Sequence, residues 1–418
     1  MVRAIPAELV AGFLAAVAGA LLAFGALLWI AGGAGRPALR RYALHACVFF
    51  VTLAVYLGNG TRHLQADPQP AAFTALSLLR SGWFDLTEYE ENVEPLREKT
   101  LLRGVDGKTY SMYPPGSALT CVPFVLPFAW SGRLSTVELD WASKRAGAVS
   151  AALSVVLVLA ALRRLVPAVA AWIAAAAYAF GTTLFSTASQ DSWTHAPAMA
   201  GLALALYGLA RTHPDQARSA AWIGLGLAWT FVSRVTLAGP VVLVALYFLL
   251  TDRRRFAFLS LGALPLALFW IAYATRVYGS PFTTGYAVAN PEIEMASGSF
   301  ASNLWETFFN TNRGIFVYSP FLLVALAGFW PLLRALPERS EPLASVCVFA
   351  LSFLAVVALV ARMALWPGGW SYGYRTTSEC ATLLAPAFAL AVAGLWPRWP
   401  GRLLVAASVA VSIGIHSL

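Results

Sequence analysis

The chain has 418 residues, of which 59% are hydrophobic and only 12% charged, and its mean hydropathy is +0.67. Those values lie outside the range of soluble globular domains and read as a polytopic, all-α membrane protein. The net charge of +9 therefore implies neither a soluble fold nor nucleic-acid binding, because most of the Arg excess sits in short loops between apolar runs. There it sets topology and meets membrane lipids.

Apolar runs of spanning length recur along the whole chain, at 8–31, 42–59, 142–162, 168–185, 195–210, 219–233, 236–251, 256–276, 314–333, 343–363, 378–396 and 402–418. They predict about twelve transmembrane helices in one integral domain covering 1–418. Within it, 1–41 adds an N-terminal helix and basic loop, 59–141 forms a large first outer loop, and 142–418 supplies the remaining bundle. The stretch 8–31 lacks the basic n-region and cleavage site of a signal peptide and reads as a first helix. Basic residues fall in every second loop: Arg36, Arg40 and Arg41, then Arg163 and Arg164, Arg211 and Arg218, Arg253 to Arg255, Arg334 and Arg339, and Arg398 and Arg402. The positive-inside rule makes those loops cytoplasmic and turns 59–117, 186–194, Ser233–Arg234, 277–313 and 364–377 outward together. The segment 118–131 is apolar but short and carries Pro123 and Pro127, so it is expected to be a re-entrant or surface-lying helix of the first outer loop.

That first loop is the longest hydrophilic interval, holding Asp67, Asp85, Glu88, Glu90, Glu91, Glu94, Glu98 and Asp106. Carboxylates on this scale cannot face lipid. Asp67, just after a predicted span, is the candidate catalyst, although a residue before proline can also serve only as a turn or cap. The other outer loops gather aromatics, Gly and selected polar groups: Gln190 to His195, Gly285-Tyr286, Asn310 to Gly314, and Trp366 to Arg375. An interfacial aromatic belt explains Trp and Tyr on its own. It does not explain why acids, a His and several Arg share their side, an arrangement suited to a phosphorylated substrate. Candidate substrate-binding side chains are Tyr113, Trp193, Tyr286, Trp370 and Tyr372, and the candidate phosphate-binding cation is Arg375, with Arg313 and Arg234 weaker choices. Arg375 leads because it follows a Gly-rich turn and its guanidinium can grip phosphate oxygens in pairs. The acids at Asp85 and 88–98 read as a solvated face. Asp67, Glu88 and Glu90 could bind a divalent ion through oxygen ligands, but no metal and no cofactor is predicted. The four cysteines are isolated and read as packing residues.

The run from Asp67-Pro68-Gln69-Pro70 through Ser81-Gly82-Trp83-Phe84-Asp85 resembles the first outer loop of the GT-C glycosyltransferase superfamily, as in its protein O-mannosyltransferase and lipid A aminoarabinose transferase members. Similarity continues in Tyr110 to Gly116, Ser189 to Pro197, Gly279 to Tyr286, Arg313 to Pro320 and Gly368 to Arg375. The resemblance implies a GT-C fold in the inner (plasma) membrane of a bacterium. It further implies transfer of a sugar from a polyprenyl-phosphate-linked lipid donor to a glycan, lipid or protein acceptor outside the cytoplasm. By matching position, Asp67 would be the general base, and His195 or Asp191 would occupy the place of a second outer-loop acid. Two departures stand out. Met112 lies near where many relatives carry a Lys, so that phosphate contact is either lost or moved to Lys108, and Pro68 replaces the Glu of the Asp-Glu pair of mannosyltransferases. The alternatives are a transporter or flippase of lipid-linked sugar and a polymerase or ligase of lipid-linked glycans. Nearly acid-free spans and the absence of an evident inverted repeat favour the transferase over the transporter.

Overall fold

The computed structural model describes residues 37–59, 67–93, 100–129, 135–211, 217–289, 299–338, 342–363, 367–368 and 372–417. The expected first helix at 8–31 and Trp370 lie outside these residues. The chain runs through α1 (Pro37–Gly58), α2 (Gln69–Ser81), a two-stranded antiparallel hairpin of β1 (Leu101–Arg103) and β2 (Thr109–Ser111), and α3 (Gly116–Val125). It continues through α4 (Thr136–Leu165), α5 (Ala168–Phe180), α6 (His195–Leu209), α7 (Ala220–Ser233), α8 (Ala238–Thr251) and α9 (Arg253–Tyr278). The short α10 (Gly285–Ala289), α11 (Phe300–Phe309), α12 (Ile315–Tyr318), α13 (Phe321–Val324) and α14 (Phe329–Glu338) follow. Last come α15 (Leu343–Leu351), α16 (Phe353–Arg362), α17 (Cys380–Leu395) and α18 (Trp399–His416).

Among the described residues four helical stretches are long and apolar enough to cross a membrane: Thr136–Leu165, Arg253–Tyr278, Leu343–Arg362 and Trp399–His416. Seven shorter apolar helices accompany them. One expected span is corrected. The stretch at 314–333 is not a single rod but α12, α13 and α14, broken at Ser319 and Pro320, where proline removes a backbone donor and the preceding residue leaves the helical region. The segment at 118–131 is helical as far as Phe128 and packs against α2 and α4.

Small residues set the bundle's closest crossings. A Cβ at Gly201 of α6 would come within 2.7 Å of the Gly226 carbonyl in α7, and one at Gly226 within 2.5 Å of the Gly201 carbonyl. On the other side of α7, a Cβ at Gly224 would sit 1.8 Å from the Leu259 carbonyl and one at Gly262 2.0 Å from that of Ala221. Backbones that approach this closely exchange side-chain volume for dispersion contact, the usual solution where lipid supplies no hydrophobic drive between helices. The result fixes α7 between α6 and α9, and with it the end of α7 at Ser233 and the start of α6 at His195.

Most of the buried apolar side chains form one core running through α4 to α8 and α15 to α18. A second, smaller cluster joins α2, α3 and the first turns of α4. A third seats the hairpin on α7 and α9 through Phe84, Tyr110, Trp270 and Tyr273. The described residues of 67–129 thus form a packed layer on one end of the bundle.

Candidate active site

Asp67 lies immediately before Pro68 and the start of α2, and Pro70 occupies the first turn. A residue before proline is pushed out of the helical region, so Asp67 stays off the helix while its neighbours are tied down. Ser192 Oγ donates to the Pro68 carbonyl at 3.2 Å. The Asp67 side chain is 33% exposed, and its Oδ2 accepts from Arg375 Nη1 at 2.6 Å.

Arg375 is held from three directions. Besides Asp67, its Nη2 donates to the Gly368 carbonyl, and its guanidinium carbon lies 4.5 Å from the centroid of the Trp193 ring. Gly368 has φ of +75°, and a Cβ there would lie 2.6 Å from Thr376 Cγ2, so a larger side chain would push the loop off the arginine it holds. Trp193 is buried, and its ring offers a face to the cation. Tyr113 hydrogen-bonds to Asp67; burial first, and then the Asp67 charge, push its hydroxyl well above the ordinary phenol value, so it serves as a proton-bearing donor. The Tyr113 ring meets the edge of Tyr286 at 5.8 Å. Burial also raises the Tyr286 hydroxyl, and the charges of Arg234, Asp67, Arg375 and Glu379 all reach it.

Behind this cluster lies a buried charged triad. Glu379 Oε1 is 2.8 Å from His195 Nδ1 and 3.4 Å from Arg234 Nε, and Glu379 is fully buried. Arg234 Nη1 lies 3.1 Å from His195 Nε2, and its Nη2 donates to the Thr376 carbonyl at 2.9 Å. With one imidazole nitrogen facing a carboxylate and the other a guanidinium, a neutral tautomer bearing its proton on Nδ1 satisfies both contacts. The triad joins α6, α7 and the start of α17 beneath the segment that carries Arg375. Glu379 went unremarked in the sequence. Its signal was there: an acid at the edge of an otherwise acid-free apolar span needs a partner and a purpose.

Of the predicted site residues, the structure brings Asp67, Arg375, Trp193, Tyr113 and Tyr286 together, with His195 directly behind them. Arg313 and Tyr372 line an adjoining cleft of about 540 Å³ with Glu306, Asn310, Asn312 and Tyr318. Arg313 Nη1 lies 3.3 Å from the Gly373 carbonyl. Burial, and then the positive charge of Arg375, lower its pKa from the ordinary arginine value. Two cations close enough to feel each other favour an anion between them. The Tyr372 hydroxyl is occupied, donating to the Ile415 carbonyl.

Lys108 and Asp191 stand apart from this cluster. Lys108 follows the hairpin turn, with Nζ 2.7 Å from Asp85 Oδ2. Asp191 accepts from the Ser192 amide at 2.7 Å and from the Ser143 hydroxyl of α4. One edge of it stays accessible, yet burial pushes its carboxyl up to about 7 against the pull of those hydrogen bonds. Its contacts make it a staple between α4 and the 189–194 loop. Glu90, one of the oxygen donors considered for a cation, is taken by Arg103 at 3.2 Å and by Thr109. Among the described residues no group of three or more His, Cys, Asp and Glu side chains could hold a metal.

The fold is the one seen in an archaeal oligosaccharyltransferase of known structure. The oligosaccharyltransferase of Archaeoglobus fulgidus in its apo form superposes with a TM-score of 0.57 at 12% identity, covering 89% of this chain and 56% of that one. The same archaeal enzyme bound to an inhibitory peptide and a dolichol-phosphate superposes with a TM-score of 0.55 at 13% identity, over 90% of this chain and 55% of the other. ArnT from Cupriavidus metallidurans in the apo state gives 0.47 at 17% identity, over 84% and 58%. The chain thus spans a little over half the length of the proteins it superposes on. No protein-family model matches the sequence, and no curated protein does.

Proposed function

We propose that this chain is a membrane glycosyltransferase that moves a sugar from a polyprenyl-phosphate-linked donor to a hydroxyl-bearing acceptor on the outer face of the membrane. The observation that carries the reading is the Asp67–Arg375 pair, a partly exposed carboxylate 2.6 Å from a nearly buried guanidinium, walled by Trp193 and Tyr113. Glycosyl transfer from a phosphate needs those two groups side by side: a base for the acceptor hydroxyl and a cation for the departing phosphate. The archaeal oligosaccharyltransferase that shares the fold has been captured with a dolichol-phosphate, which supports a phosphate-bearing lipid as donor.

In the proposed reaction the acceptor oxygen bonds to the anomeric carbon and its proton passes to Asp67. The bond from that carbon to the phosphate oxygen breaks, and the electron pair leaves with the phosphate. Arriving phosphate draws Arg375 away from Asp67, which frees the carboxylate to accept the proton. Arg313 adds a second positive charge. Two buried polar atoms at the pair have no protein partner, Trp193 Nε1 and Arg375 Nε. Leaving such groups unmet costs about 1–3 kcal/mol each, so a polar substrate repays more than its own desolvation. An apolar groove of about 210 Å³ between α7, α8 and α9, lined by Leu227, Phe231, Leu266, Trp270 and Ile271, runs toward Arg234 and suits an isoprenoid tail. In this reading the chain crosses the bacterial inner membrane about twelve times, and the site faces outward.

The test is to purify the protein, analyse its co-extracted lipids by mass spectrometry, and assay sugar transfer in proteoliposomes from a panel of polyprenyl-phosphate sugars. A co-purifying polyprenyl-phosphate species and release of free polyprenyl phosphate on turnover are expected. Absence of both across the panel would overturn the reading.

A further inference from the structure

The end of the bundle remote from Asp67 holds a further cavity of about 370 Å³, lined by Tyr42, His45, Arg163, Arg164, Tyr207 and Arg211. Three helices place it there. Helix α4 carries Lys144, whose Nζ donates to Gln190 Oε1 at 2.6 Å beside the active-site loop, and about twenty residues later it carries Arg163 and Arg164 in its last turn. At 1.5 Å per residue that separation is roughly 30 Å. Helix α6 runs from His195 in the triad toward Tyr207 and Arg211, and α1 runs from Tyr42 and His45 toward Asn59, which meets Lys144 Nζ at 2.9 Å.

The cations are gathered around one ring. Arg211 Nη1 donates to the Tyr207 hydroxyl at 2.8 Å, its guanidinium carbon lies 5.2 Å from the Tyr207 centroid, and that of Arg164 lies 5.9 Å from it. A basic residue in a helix's last turn complements the dipole, and basic loops set topology. Neither requires three arginines, two from α4 and one just past the end of α6, to share one concave cavity. The three guanidiniums are exposed, and with no carboxylate among the described residues lining the cavity their summed field favours an anion there. Guanidinium forks fit phosphate oxygens in pairs. We propose that this cavity is a second ligand site, taking the phosphate group of an anionic molecule at the membrane face opposite Asp67. The proposal stands independently of the transfer reaction. Two sources offer the same chemistry, an anionic phospholipid headgroup and a soluble phosphate.

The experiment uses the full chain in two arms. In one, the protein sits in phosphatidylcholine nanodiscs with increasing phosphatidylglycerol, and bound phosphatidylglycerol is counted by native mass spectrometry. In the other, the detergent-solubilised protein is titrated with inorganic pyrophosphate and binding is followed by thermal shift. Saturable binding is expected in at least one arm, and the arm that saturates identifies the source. The Arg164→Gln/Arg211→Gln variant should bind about thirtyfold more weakly. Should it not fold, Arg211→Gln alone decides, with about a fivefold loss expected. Arg254→Gln lies outside the cavity, on the same membrane face by the loop-charge pattern, and should bind as the wild type does. No saturation in either arm, unchanged binding in the cavity variants, or an equal loss in Arg254→Gln would each overturn the proposal.

Discussion

Arg375 works as an arginine and not merely as a positive charge. It spans Asp67, the Gly368 carbonyl and the Trp193 face at once, which a lysine ammonium cannot do. Arg375→Lys should therefore weaken binding of a polyprenyl-phosphate donor by about tenfold or more without unfolding the protein, and equilibrium binding of a fluorescent carrier lipid measures this. Glu379 makes a different prediction. It is the buried counter-charge of Arg234 and hydrogen-bonds to His195, so Glu379→Gln leaves a guanidinium uncompensated in the interior. Breaking a buried pair in that way costs roughly 3–5 kcal/mol, and a fall in the thermal unfolding midpoint is expected along with loss of activity. An unfolding midpoint equal to that of the wild type would show that the triad is not a structural keystone.

At the scale of elements, the site depends on where helices end. Helix α7 delivers Arg234 and α6 delivers His195, and both are set by the glycine contacts at Gly201, Gly226, Gly224 and Gly262. Gly224→Ala puts a methyl group against the Leu259 carbonyl, and overpacking of this kind costs about 1–3 kcal/mol; thermal unfolding in detergent should fall accordingly. The loop at 189–194 is tied to α4 by Asp191, and that tie depends on pH. The Asp191 carboxyl is raised from its ordinary value to about 7, so its contribution to stability is fully present below about pH 4 and is lost as pH rises through about 7. Asp191→Asn should flatten the pH dependence of the unfolding midpoint between those values. A slope unchanged by the substitution would show that another group titrates there.

For the whole molecule, the periodic loop charges, the length of the apolar runs and the polar first loop already separate the site face from the basic face in the sequence. Spans such as 142–162 and 256–276 were legible because a long apolar run has few ways to be satisfied other than as a helix. The break at Ser319-Pro320 was less so, since hydropathy averages over a proline. Asp67, Arg375, Trp193, Tyr113 and Tyr286 could be collected as one outward face, but the Asp67–Arg375 contact joins residues 308 positions apart and no local pattern records such a pairing. Glu379 lies inside the 378–396 apolar run, where one acid barely changes the average hydropathy, and Lys108 is near Met112 in sequence while Asp85 holds it in the fold. The face assignment has its own test. Single cysteines at Asn312 and Lys108 should react with a membrane-impermeant maleimide in intact cells, and cysteines at Arg254 and Arg334 should react only after permeabilisation. The reverse pattern would invert the orientation.

The central claim is that Asp67 takes the acceptor's proton beside the arginine that meets the departing phosphate. Its most direct test is single-turnover sugar transfer by Asp67→Asn in proteoliposomes, with donor binding and the unfolding midpoint measured on the same preparation. Transfer should be slowed by about a hundredfold or more while donor is still bound and the protein still folded; transfer at the wild-type rate would rule out Asp67 as the base.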